Sequence, residues 1–187
     1  MSRPSSFTNA RMLGGTLFTI ACLATHALAQ QPRTPSAFPD TVARLFKALA
    51  GHWSCAGGFA RGGALAADLQ FTPAVGDYAI TFQHVDRAPG SYWQNSTWAF
   101  DAKSGRIVST GMSGSQKDHT GAPSMFSASA WSPTSVTLDA DTIKAPPFTP
   151  NRFTYAVTGN STLTMRWEVS RNGAWSLGDS LVCSRAN

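Results

Sequence analysis

The sequence predicts an all-β domain, an antiparallel barrel or sandwich preceded by one short helix. Three observations carry this. About ten short runs rich in aromatic, β-branched and Thr residues follow one another at regular spacing. Gly, Pro, Asn, Asp and Ser gather between the runs. No helical period lies between any two of them.

The chain has 187 residues, with 15 Lys+Arg, 10 Asp+Glu and 3 Cys. Its start reads as an address rather than as fold. Arg3 and Arg11 are the only charges before Gln30, Met12 to Ala24 is mostly apolar, and Ala27-Leu28-Ala29 has the small-x-small form of a secretory cleavage site. Met1–Ala29 is therefore expected to be a signal peptide and the protein exported, periplasmic or secreted. A membrane anchor is the alternative, but the apolar stretch is short for one. Lipoprotein processing at Cys22 is a third reading, in which Thr19 stands where Leu is expected. Removing these 29 residues of 187 leaves 158, and the net charge falls from +5 to +3. The remaining basic residues are scattered and do not interleave with aromatics, which gives no support to a nucleic-acid partner or to polybasic membrane attachment.

The rest is read as one domain over 40–187. Gln30–Pro39 is rich in Gln, Pro, Ser and Thr and is expected to be a leader. In Asp40–Leu49, Val42, Leu45, Phe46 and Leu49 fall on one helical face, with Asp40 as the expected N-cap and Gly51 as a stop. The period then changes to two. Strands are expected over Trp53–Phe59, Ala66–Thr72, Tyr78–Val85, Tyr92–Phe100 and Arg106–Gly111. Five more are expected over Met125–Trp131, Val136–Asp141, Arg152–Thr158, Thr162–Ser170 and Ala174–Cys183. Hairpin-like turns stand at 101–105, Gly159-Asn160 and 171–173. The longest expected loop is the Gly/Ser-rich segment Gly111–Pro123, a candidate lid or gate. Gly57-Gly58 and Gly62-Gly63 precede no helix and fit a bulge or tight turn.

Alternation sorts side chains onto faces. Leu163, Met165, Trp167 and Val169 share one side of their strand, and Tyr78, Ile80, Phe82 and His84 share another. Phe153, Tyr155 and Val157 form a third. Trp175, Leu177, Leu181 and Cys183 form a fourth, interrupted by Asp179. The more aromatic side is expected to face inward. After signal removal Cys55 and Cys183 remain, and two cysteines in an exported chain suggest one disulfide, against the alternative of two free thiols.

Gly51-His52-Trp53, directly after a short helix and opening the first strand, resembles the Gly-x-Trp start of the lipocalin and fatty-acid-binding (calycin) barrels. In that group a basic residue just past the last strand packs over this Trp, and Arg185 stands at the matching place. The leader Phe46-Lys47-Ala48-Leu49-Ala50-Gly51-His52-Trp53 and the hairpin 167–175 also resemble an uncharacterised bacterial exported family of nitrobindin-like or lipocalin-like barrels. The resemblance covers about Leu45 to Arg185. It implies a closed up-and-down barrel of about 8–10 strands with a short N-terminal helix, closed by Trp53 and Arg185. First and last strands would then be neighbours, which would put Cys55 beside Cys183. Nitrobindins hold haem through a His on a late strand; this chain has no His after His119, so haem ligation does not carry over at that position.

The chemistry-bearing residues are few. His52 points opposite to Trp53 and reads as surface. His84 with Asp86 two residues on has the form of a general base and its orienter. Lys117-Asp118-His119 lies in the expected long loop. Glu168, the only Glu, shares a strand face with Arg166, either as a surface ion pair or as a grip on a polar head group if that face lines the lumen. No metal-ligand spacing and no nucleophile elbow are present, and neither cofactor nor metal is expected. The favoured function is an exported binding barrel, a monomer or weak dimer with no membrane span after signal removal. Its small apolar or amphipathic ligand would be held by Trp53, Tyr78, Phe82, His84, Trp98, Phe153, Arg166 and Trp167. The alternatives are an enzyme on the same barrel with a His84/Asp86 acid–base pair, and a packed envelope protein that binds nothing small.

Overall fold

The computed structural model of the chain describes residues 38–141 and 150–186. The expected signal peptide Met1–Ala29, Cys22 within it, and 30–37 of the expected leader lie outside the described residues.

Helix α1 spans Asp40–Leu49, and its apolar stripe, Val42, Leu45, Phe46 and Leu49, is buried to the last residue. Asp40 is not the N-cap. Pro39 holds that place, no side chain caps the helix, and Asp40 sits in the first turn, where a negative charge meets the positive end of the helix dipole. Phe38, the end of the expected leader, is part of the packed structure: its ring meets Phe46, Tyr78 and Phe100.

Ten strands follow: β1 (Gly51–Phe59), β2 (Ala64–Ala74), β3 (Ala79–Arg87), β4 (Tyr92–Asp101), β5 (Arg106–Ser115), β6 (Thr120–Trp131), β7 (Ser135–Ala140), β8 (Asn151–Thr158), β9 (Thr162–Arg171) and β10 (Ala174–Arg185). Each pairs antiparallel with the next, and β10 pairs back onto β1, so the sheet closes as a barrel. Of barrel and sandwich, the closed barrel is the one formed, and the short period-two runs are its strands.

The seam between β1 and β10 is held by three devices. Cys55 lies opposite Cys183 in the register and is disulfide-bonded to it. The Arg185 guanidinium lies 4.1 Å over the Trp53 ring. The same guanidinium donates to the carbonyls of Ala48, Ala50 and Asn160, tying together the end of α1 and the β8–β9 turn. Trp53 in turn donates from Nε1 to the Leu49 carbonyl at 2.8 Å. The need for glycine at Gly51 follows. Its φ is +130°, which side chains rarely adopt, and a Cβ there would collide with Nη1 of Arg185.

Three expectations change. The segment Gly111–Pro123 is not a long loop: β5 and β6 run on as a hairpin to the pair Ser115–Thr120, leaving Lys117-Asp118-His119 in a tight turn. Its glycines are there because backbones and rings crowd the strands. A Cβ on Gly121, for example, would meet the Trp93 ring, whose Nε1 donates to the Thr120 carbonyl. In β10 the register shifts between Leu177 and Asp179, a β-bulge at Gly178. The extra residue flips the strand. Asp179, Leu181 and Cys183 face the lumen, whereas Trp175 and Leu177 pair with the outward Ser170 and Glu168 and are exposed. The expected single face of Trp175, Leu177, Leu181 and Cys183 is therefore divided. Gly57 and Gly58 lie within regular β1 pairing rather than in a bulge or turn.

Burial divides the lumen into two unequal halves. At the α1 end, Trp53, Phe71, Ile80, Phe82, Trp98, Ile107, Tyr155 and Leu163 are fully buried. The rings of Phe71, Phe82, Trp98 and Tyr155 contact one another with centroids 4.6–6.0 Å apart. The other end is hollow.

Candidate functional site

The strand ends opposite α1 enclose a cavity of about 430 Å³, within the range of small-molecule sites. Alternation brings its wall together from most of the barrel. Phe59, Leu65, Phe126, Phe153, Met165 and Trp167 supply apolar surface; His84, Asp86, Tyr92, Ser124 and Asp179 supply the polar groups.

The polar side is a short network anchored on β3. His84 Nε2 lies 2.9 Å from Oδ1 of Asp86, and both residues are buried. Asp86 Oδ2 accepts the backbone N–H of Tyr92 at 2.9 Å. Gln116, in the β5–β6 turn, donates to the Asp86 carbonyl. The Tyr92 hydroxyl donates to Gln94 at 3.0 Å, and its ring stands edge-on to His84 at 5.1 Å. These bonds leave a residue of unmet demand: His84 Nδ1, Ser124 Oγ and Asp179 Oδ1 are buried atoms that have no hydrogen-bond partner. A buried polar atom without a partner costs about 1–3 kcal/mol, so three in one cavity mark a place where a bound molecule could supply what the protein does not.

Burial also sets the protonation of the site. It pushes the Asp179 carboxyl up to about 7, with the Asp86 charge adding to the effect. Burial likewise raises the Tyr92 and Tyr155 hydroxyls above the ordinary tyrosine value, so both phenols stay neutral around pH 7.

The eight expected ligand residues separate into three groups. His84, Phe153 and Trp167 line the cavity. Trp53, Phe82 and Trp98 belong to the closed half and are fully or almost fully buried in the core. Tyr78 and Arg166 face outward, a departure from the expectation. Tyr78 lies in the β2–β3 turn, ahead of β3, and is 60% exposed, edge-on to Phe38. Arg166 sits between the inward Met165 and Trp167, so the pleat turns it to solvent with its side chain 56% exposed. There Glu168 takes it as the weaker of two partners, 3.7 Å away, while Arg152 binds Glu168 at 2.9 Å and lies 4.2 Å over Trp175. That group is an outer-face cluster and not a head-group clamp. Of the other histidines, His52 is exposed and His119 lies in the β5–β6 turn, also exposed. No group of three or more His, Cys, Asp or Glu able to hold a metal ion occurs among the described residues.

Asp179, Tyr92, Ser124 and Phe126 were not singled out as ligand contacts by sequence reasoning. For Asp179 a signal existed, since it is a carboxylate standing in an otherwise apolar strand face. Ser124 lies in β6 but fell between the expected loop, which ended at Pro123, and the expected strand from Met125, and so carried no face assignment.

No family model matches the chain, and no curated protein matches it. Among solved structures, it is similar to a chain described as EF1p2_mFAP2b bound to DFHBI. The identity is 12% and the TM-score 0.40, over 78% of this chain and 100% of that one.

Proposed function

We propose that this chain is an exported, calycin-like binding barrel that holds a small amphipathic ligand in the hollow half of its lumen. The observation that carries this is the cavity of about 430 Å³, apolar on one side and bearing three unpartnered buried polar atoms on the other. Burial of ligand surface against Phe153, Trp167 and Met165 supplies affinity, at roughly 25 cal/mol per Å² before the costs of association. The polar side orients the head group. Export through a Met1–Ala29 signal, with a leader to Pro39 and the domain from residue 40, is part of the same reading. The Cys55–Cys183 bond supports it, because such bonds persist in oxidising compartments.

Native mass spectrometry of protein purified from its own host tests the proposal. A co-purifying small molecule, lost on Trp167→Ala, is the expected result. Protein that is repeatedly ligand-free and unchanged in stability across a broad metabolite screen would overturn it.

One observation favours a second reading, catalysis on the same barrel. His84 and Asp86 are in hydrogen-bond contact at the cavity wall, with Nδ1 of His84 unpartnered, which is the geometry of a base and its orienter. Recovery of the host compound in a converted form, with conversion lost in Asp86→Asn, would select this reading over simple binding.

A further inference from the structure

We propose that the head group taken by this cavity is cationic or rich in hydrogen-bond donors, such as a protonated amine on an apolar body, and that Asp179 is its principal partner. The inference rests on the binding function proposed above and adds the chemistry of the ligand.

The polar side of the cavity carries one sign. The residues lining the cavity include two carboxylates, Asp86 and Asp179, and no Lys or Arg among the described residues. The Arg166 and Arg152 guanidiniums, which an acidic ligand would need, lie on the outer face with Glu168. Asp179 Oδ1 is an acceptor. His84 Nδ1, on a residue 2% exposed, takes the role its tautomer leaves it. Ser124 Oγ, on a residue 5% exposed, can act either way. An unpartnered carboxylate oxygen beside a hydroxyl matches a donor and repels a carboxylate. Phe59, Phe126, Phe153 and Trp167 present rings to the same space, and aromatic faces attract cations.

Asp86 is already committed, to His84 and to the Tyr92 N–H. Asp179 is the carboxylate with capacity to spare. Titratable groups facing it are Asp86 and His84 on β3, Tyr92 on β4 and Tyr155 on β8. Its direct strand neighbours, Phe59 on β1 and Trp167 on β9, do not titrate. The two phenols stay neutral near pH 7, which leaves Asp179 as the group whose charge changes across that range. Affinity for an amine should therefore rise severalfold with pH as Asp179 ionises, and level off once it is fully charged.

The test uses three probes with one tail: decylammonium, decanol and decanoate, titrated into the intact exported protein below their micellar range and followed by calorimetry and by Trp emission. The expected order is decylammonium tightest, by at least about tenfold over decanoate, with decanol between them. Asp179→Asn should bring decylammonium down to decanol while leaving decanol unchanged, and the pH profile of the unmodified protein gives the same answer without any variant. Equal or tighter binding of decanoate, or a charge preference that survives Asp179→Asn, would overturn the head-group assignment while decanol binding upholds the cavity. Failure of all three probes to bind would overturn both proposals.

Discussion

Replacing Asp179 with Asn is expected to stabilise the ligand-free protein, and to do so only where the carboxyl would be ionised in the unfolded chain. Unfolded, this group titrates at its ordinary value of 3.8; in the barrel, burial and then the Asp86 charge push it up to about 7. A carboxyl raised on folding binds more protons in the native state than in the unfolded one. Stability therefore falls as pH rises from about 4 to about 7, and stays low above that range. The full gap converts to about 4 kcal/mol. Asp179 is only partly shielded from water, so screening reduces this, and we take about half, or roughly 2 kcal/mol. Asn mimics the neutral carboxyl and does not titrate. The variant should match the parent near pH 4 and exceed it by about 2 kcal/mol near pH 8. Urea unfolding at about pH 4, 6 and 8, with equal m-values for the two proteins, reads this directly. A stability difference constant across that range, or a variant less stable than the parent near pH 8, would refute the reasoning. A carboxylate whose removal strengthens the empty protein is what a site kept for binding leads one to expect.

The remaining predictions concern the frame around the site. Arg185→Ala removes the contact over Trp53 and three carbonyl partners; it should cost about 3 kcal/mol in denaturant unfolding, and Arg185→Lys should recover less than half, because an ammonium lacks the planar fork. In the denatured, unreduced protein Cys55 and Cys183 should titrate as no free thiols. Cys55→Ser with Cys183→Ser, which opens a loop of 128 residues' separation, should lower stability by up to about 5 kcal/mol by the chain-entropy account. Gly178→Ala places a methyl against the Trp167 ring; expected are a loss of about 1–3 kcal/mol and shifted Trp emission, because the displaced ring lines the cavity.

The strands were legible because their signal is local. Each run carries its own period and its own turn residues, and α1 likewise shows its stripe within ten residues. The Cys55–Cys183 pairing was legible from the two cysteines left after the expected signal, with barrel closure making their strands neighbours, and the Arg185–Trp53 contact was legible only through the resemblance to the calycin barrels. What stayed hidden is what depends on neighbours. Ser176-Leu177-Gly178-Asp179 reads as ordinary alternation, and only the Trp167 ring, pressed where a Gly178 side chain would be, reveals why the strand bulges there. The continuations of β5 past Gly111 and of β6 ahead of Met125 were hidden by their glycines, which are disfavoured in strands until one sees what crowds them. Nor does periodicity say how far along the barrel a residue sits. Phe82 and His84 share one face, two residues apart. The first packs among Phe71, Trp98 and Tyr155, and the second stands at the cavity wall.

The β1–β10 seam has a consequence for how the protein survives partial opening. Every other pair of neighbouring strands is consecutive in the chain; only the seam joins its two ends. Without a bond there, a fluctuation would expose two bare strand edges, each a template for another copy of the chain. The Cys55–Cys183 bond turns the linear chain into a covalent ring around the lumen, and such a ring cannot unzip from its ends. The risk of edge-to-edge aggregation is thereby concentrated in the interval between synthesis and oxidation. Proteostasis of this barrel should accordingly depend more on how soon the thiols are oxidised than on the stability of the finished fold.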